Sequence, residues 1–173
     1  MGYNINNLIF IHLGAKELRE ITPIENGFMN KPRGGLWAAT FLKDNEAEGA
    51  RSEWEYWCIH EQFIDYTDSP WFKFQLKEDA KVLCIDNVDD LLAVDEKYLF
   101  KGKGTLLEEK LCLDYEKIAE DYDAFYLSQQ AAEMMHSFYM MPDEYQDFNL
   151  WDCESLLVFN INKICVIERG VGK

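Results

Sequence analysis

Apolar residues fall in short runs separated by turn chemistry. Leu8 to Leu13 is continuous, β-rich and ended by Gly14, which predicts a first buried strand with His12 near its end. Leu36 to Leu42 predicts a second strand holding Trp37 and Thr40. Trp71 to Leu76 alternates and reads as a half-exposed strand, with Ala80 to Asp86 as its antiparallel or sequential neighbour. Tyr122 to Leu127 is a short aromatic strand. Leu156 to Phe159 is continuous rather than alternating and runs on through Ile161, Ile164, Val166 and Ile167, which predicts a central strand buried on both faces, with Glu154 at its mouth.

Helical spacing appears in fewer places. Ser52 as N-cap with Glu55 three residues on predicts a capping box, followed by a stripe of Trp54, Trp57, Cys58, Ile59 and Phe63. Short helices follow around Asp89 to Leu92 and from Asp114 to Glu120, and Gln129 to Tyr139 is amphipathic, with Met134, Met135, Met140 and Met141 as adaptable core filler. Lys16 to Glu20 reads as a short helix or turn stopped by Thr22 and Pro23. Loop chemistry marks Asn26 and Gly27, Asn30 to Gly35, Asp44 to Gly49, Lys101 to Gly104, and Met141 to Glu144. Strands interleaved with a few helices, without regular βαβ alternation, predict an α+β fold with a mixed, mostly antiparallel sheet.

Composition narrows the class. At 173 residues, 48% of them apolar and 14% aromatic, the chain reads as a single globular domain over 1–173 able to bury a substantial core. Against 17 Lys and Arg stand 32 Asp and Glu, a net charge of -15, which opposes broad contact with nucleic-acid phosphate. That excess serves solubility; a sharper reading is an acidic surface that mimics nucleic acid and steers a basic partner. Five cysteines without a CxxC pair, four of them in apolar surroundings, suit reduced core thiols and a cytoplasmic setting. No signal peptide is readable near the first residues, and no apolar run approaches the ~18 residues of a membrane span.

Few residues offer chemistry. Of three histidines, His12 stands at a strand end beside a loop, and none is paired at metal-ligand spacing. Walker loops, Rossmann fingerprints and nucleophile elbows are absent from the sequence. Taken singly, Glu154 reads as a solvated acid before a strand, His12 and Trp37 as core residues, and Lys31 and Arg33 as loop charges. An acid at the rigid end of a buried strand is also where a catalytic carboxylate is useful.

Three segments in order carry a resemblance: Phe10 to Gly14 with His12, Gly35 to Thr40, and Cys153 to Val158 with Glu154. In this pattern the chain resembles the ADP-ribosyltransferase superfamily, whose sites draw one residue from each of three strands. Glu120 to Phe125 also looks like the YDG-type strand of bacterial and phage-borne members. The resemblance implies an ADP-ribosyltransferase-like fold and NAD as substrate. It also implies transfer of ADP-ribose to a protein or nucleic-acid acceptor, as a toxin, effector or phage counter-host protein. It assigns Glu154 to the oxocarbenium-like ribose, His12 to the adenosine-side ribose, and main-chain groups at Gly14 to the nicotinamide amide. Thr40 would support the carboxylate, Trp37 or one of the tyrosines would stack on nicotinamide, and Lys31 and Arg33 in the glycine loop with Gly35 would meet the pyrophosphate. Asp152 occupies the position of the second acid found in arginine-modifying members, one methylene shorter, and Ala39 stands where Ser is common. The alternative is a non-catalytic acidic protein that occupies a nucleic-acid-binding partner.

Overall fold

In the computed structural model, which describes residues 5–17, 20–27, 30–43, 49–101, 110–136, 142–146 and 148–172, the apolar runs become strands. These are β1 (Phe10–Leu13), β2 (Leu36–Thr40), β3 (Pro70–Leu76), β4 (Val82–Ile85), β5 (Leu99–Lys101), β6 (Leu111–Leu113), β7 (Ala124–Leu127), β8 (Ser155–Val158) and β9 (Ile164–Val171). Four helices accompany them among the described residues: α1 (Glu53–His60), α2 (Val88–Leu92), α3 (Tyr115–Asp121) and α4 (Gln129–His136). Among the described residues seven strands form one mixed sheet in the order β4-β7-β8-β2-β1-β3-β9, in which only β4 and β7 run parallel; β5 and β6 make a separate antiparallel pair. The fold is therefore α+β.

The central run is buried on both faces because two cores meet across it. Phe125, Leu127, Tyr115, Ile118, Met135 and Trp151 pack on one side with α2, α3 and α4. Phe10, Phe72, Phe74, Leu36, Leu156 and Val158 pack on the other. Successive side chains of a strand alternate between faces, so a strand between two cores must be apolar throughout. Leu156, Leu157 and Val158 are all inaccessible to solvent.

The structure corrects several expectations. The late apolar run is two strands: Asn160 caps a 3-10 turn by accepting from the Asn162 N–H at 3.1 Å, and β9 then crosses to the opposite edge, where Ile167 and Val171 are exposed. An apolar run in sequence does not distinguish a centre from an edge. The segment containing β4 pairs with β7 rather than with β3, whose flanks are filled by β1 and β9. Among the described residues of Lys16 to Glu20 there is no helix. Cys84 and Cys165 are exposed, while Cys58, Cys112 and Cys153 are buried, and all five are free. The expected elements at 44–48, 102–104 and 137–141 lie outside the described residues.

At α1 half of the capping box forms. The Ser52 hydroxyl accepts from the Glu55 N–H at 3.2 Å, but the Glu55 carboxylate turns to Arg51, whose Nη2 lies 2.7 Å from Oε1 and whose main-chain N lies 2.6 Å from Oε2. Arg51 also donates to Gly172 O at 2.9 Å and Tyr66 O at 3.2 Å, tying the start of α1 to the end of β9. Glu55 is 1% exposed. Arg51→Ala leaves that carboxylate without its counter-ion, so the substitution is expected to cost about 3–5 kcal/mol in denaturant unfolding, and a loss under about 1 kcal/mol contradicts it.

Candidate active site

The site begins where β1 and β2 part. Their ladder holds two pairs, Phe10 opposite Thr40 and Ile11 opposite Ala39. Beyond it the His12 ring bridges the strands, with Nδ1 2.7 Å from Trp37 O. A carbonyl only accepts, so Nδ1 carries the proton and, in the neutral ring, Nε2 is left as an acceptor. Burial lowers the His12 pKa, and the bond to Trp37 offsets this in part, so the ring is neutral at neutral pH.

On the other side β2 pairs with β8, Ala38 opposite Leu156, and continuing that register sets Glu154 opposite Thr40. Glu154 accepts from the Thr40 N–H at 2.9 Å through Oε2 and from the Thr40 hydroxyl at 2.7 Å through Oε1. Its own N–H donates to Gln129 Oε1 at 3.0 Å, fixing it to the first residue of α4. The carboxylate is thus not a solvated acid: Glu154 is 4% exposed. Burial pushes its pKa up to about 7; bonds from Thr40 and Tyr126 oppose the rise and Glu53 adds repulsion.

Two clefts border this region. Thr40 and Glu154 line one of about 310 Å³ together with Glu53, Asp86, Tyr126 and Gln129. A second, of about 530 Å³, is lined by His12, Lys31, Arg33, Trp37, Trp54 and Tyr66, among others. Alternation along β2 turns Thr40 to one face and Ala39, which lines the second cleft, to the other. The end of the sheet at Thr40 and Glu154 is where the two clefts approach, and α1 spans both, with Glu53 in the first and Trp54 in the second. Comparison with protein-family models, curated proteins and solved structures finds no match.

The remaining sequence candidates divide by role. Lys31 bends inward, its Nζ 2.5 Å from Leu150 O and 5.2 and 5.7 Å from the ring centres of Trp37 and Trp151. Burial lowers its pKa, with Asp152 opposing. Arg33 is exposed at the cleft edge and joined to Glu25 through main-chain bonds. Trp37 donates its indole N–H to Gly34 O at 3.0 Å and packs on Trp151 with ring centres 5.0 Å apart. Gly14, at φ +106°, has its N–H bonded to Pro70 O at 2.7 Å. Gly35 lines neither cleft; its φ of +65° strains any other residue, and a Cβ there would also press on Leu157 Cδ1 at 2.6 Å, so glycine serves the backbone turn.

The structure thus brings Thr40 and Glu154 into direct contact, places His12 on the adjoining strand, and gathers Lys31, Arg33 and Trp37 with His12 around the larger cleft. Sequence reasoning missed Tyr126, Gln129, Glu53 and Asp86 in the smaller cleft and Trp54 and Tyr66 in the larger. Only Glu53 and Trp54 had a signal, as the first turn of a capped helix following β2. Among the described residues no group of three or more His, Cys, Asp or Glu is placed to hold a metal ion, and no helix is long and apolar enough to cross a membrane.

Proposed function

We propose that the protein is an ADP-ribosyltransferase-like enzyme that transfers ADP-ribose from NAD to an acceptor. The observation that carries this reading is Glu154: a buried carboxylate at a sheet end, bonded twice by Thr40 and facing a cleft. Breaking the bond between ribose C1′ and the nicotinamide nitrogen sends the electron pair to nicotinamide and leaves positive charge on the ribose. A fixed carboxylate beside that charge stabilises the transition state more than the ground state. Thr40 and the strand end hold Glu154 still, so little reorganisation is needed during the reaction.

In this reading the dinucleotide occupies the larger cleft, where Lys31 and Arg33 meet the pyrophosphate and Trp37 supports the nicotinamide. The Nε2 of His12 accepts from a ribose hydroxyl. The Gly14 N–H is already bonded to Pro70 and Gly14 lines neither cleft, so Gly14 takes no part in this reading. The ribose then reaches the shared end of the sheet at Glu154, and the acceptor enters through the smaller cleft. Action on a host component, as a toxin, effector or phage counter-host protein, belongs to the same proposal.

The test is incubation of the purified protein with NAD, following nicotinamide release and, with a host lysate, label transfer from adenylate-labelled NAD. Release is expected, and His12→Ala is expected to raise KM for NAD by about tenfold, the size of one lost hydrogen bond. Absence of both release and label would sink the enzyme reading and favour the acidic binding protein.

A further inference from the structure

Strand β7 carries two aromatic residues side by side in different surroundings. Phe125 is inaccessible and faces the core that packs on α2, α3 and α4. Tyr126, 7% exposed, faces the opposite core and lines the smaller cleft with Thr40 and Glu154. Its ring lies edge-on to Phe10 with centres 6.1 Å apart, a contact that phenylalanine would make equally well. What tyrosine adds is a hydroxyl, and a buried hydroxyl needs a partner. Tyr126 stands opposite Leu156 in the β7–β8 ladder, so Glu154, two residues before Leu156, lies diagonally across from it on the same face, within reach of a long side chain. The Glu154 carboxylate accepts from that phenol.

The surroundings make each neutral donor count. Besides Tyr126, the titratable groups facing Glu154 are Glu53 of α1, Asp86 after β4, and Cys153 beside it in the chain. The residues that α4 and β2 present, Gln129, Gln130 and Thr40, carry no charge, and His12 of β1 lines the other cleft. Among the described residues no Lys, Arg or His lines the smaller cleft. A buried carboxylate without a counter-ion keeps its charge through hydrogen bonds. Here they come from the Thr40 N–H at 2.9 Å, the Thr40 hydroxyl at 2.7 Å and the Tyr126 hydroxyl. Because β8 lies between β7 and β2, these donors reach Glu154 from both neighbouring strands.

We propose that Tyr126 is a positioning residue, which clamps the Glu154 carboxylate from β7 as Thr40 does from β2 and keeps it oriented on the smaller cleft as an anion. The catalytic consequence rests on the ADP-ribosyl transfer reading; the clamp itself does not. A donating phenol favours the charged form of the carboxyl. Without it ionisation is harder and the carboxylate is free to turn, so the positive charge developing on the ribose meets a neutral or misaligned acid.

The experiment compares Tyr126→Phe with the parent in the full chain. The variant keeps the ring against Phe10 and removes only the hydroxyl. The Glu154 side-chain carboxyl is titrated by NMR, with its signal assigned through Glu154→Gln, and nicotinamide release from NAD is followed over the same pH range. Loss of one hydrogen bond to a charged group is expected to raise the titration midpoint by about one to two pH units. The pH profile of kcat is expected to move with it, so that release at pH 7 falls about tenfold and the loss shrinks as pH rises, with KM for NAD little changed. A tyrosine that only fills the core would leave both midpoints in place, and that result overturns the proposal. So does a titration that shifts while the release profile stays, because the acid that Tyr126 holds is then not the one that acts. Absence of release from the parent removes the transfer reading instead, and the titration alone then decides whether Tyr126 clamps Glu154.

Discussion

Replacing Glu154 with Gln is expected to lower nicotinamide release by about 10²–10³-fold, the usual size for removing one preorganised electrostatic partner of a developing charge. The substitution keeps the shape of the site. The Gln oxygen accepts from the Thr40 N–H, which lies 2.9 Å from Glu154 Oε2, while its amide nitrogen donates to the Thr40 hydroxyl, which reverses its role. The folded protein, checked by near-ultraviolet circular dichroism of the buried Trp151 and the half-buried tryptophans, is therefore expected to be unchanged. KM for NAD is expected to move little, because a group that acts on charge formed during bond breaking contributes to kcat. Activity within about threefold of the parent removes Glu154 from the chemistry.

The second expectation concerns pH, and it couples activity to stability. Burial raises the Glu154 pKa from 4.5 to about 7. Below 4.5 the carboxyl is protonated in both folded and unfolded chains. Between 4.5 and about 7 the unfolded chain ionises while the folded one holds its proton, so stability falls as pH rises across that window and levels off above it. The loss is on the order of 3 kcal/mol. Glu154→Gln has no such charge and is expected to gain by that amount over the parent at pH 8, about 6–12 °C in Tm, with the difference vanishing near pH 4.5. Comparing variant with parent at each pH cancels the other acids. Parallel profiles would mean that Glu154 is not buried as an acid. Nicotinamide release, which needs the carboxylate, is expected to rise through the same pH range in which the fold loses stability. The site is active where it is least comfortable.

Much of the local structure was legible from residue order. The start of α1 at Ser52, the short helix α3 after Asp114, and strands β1 and β2 sit where capping chemistry and apolar runs put them. Glu55 shows where such reasoning stops: its carboxylate turns to the guanidinium and main-chain N–H of Arg51 rather than closing the capping box, because a buried acid is held most strongly by a full opposite charge. At the candidate site the pairing of Thr40 with Glu154 was an expectation drawn from the three-segment pattern. Tyr126 and Gln129 had no sequence signal, because each reaches Glu154 through the packing of β7 and α4 against β8.

By itself the sequence determined periodicity, turn positions, the acidic balance and the apolar character of the strand after Glu154, since these depend on neighbours along the chain. The tertiary structure decided that β8 is central while β9 is an edge, that β4 joins β7, and that residues 114 positions apart share two hydrogen bonds. It also decided that Glu154 is out of water, and hence its protonation. Those properties depend on which segments exclude solvent from one another, and the free energy of burial belongs to the assembled layers rather than to any stretch of sequence.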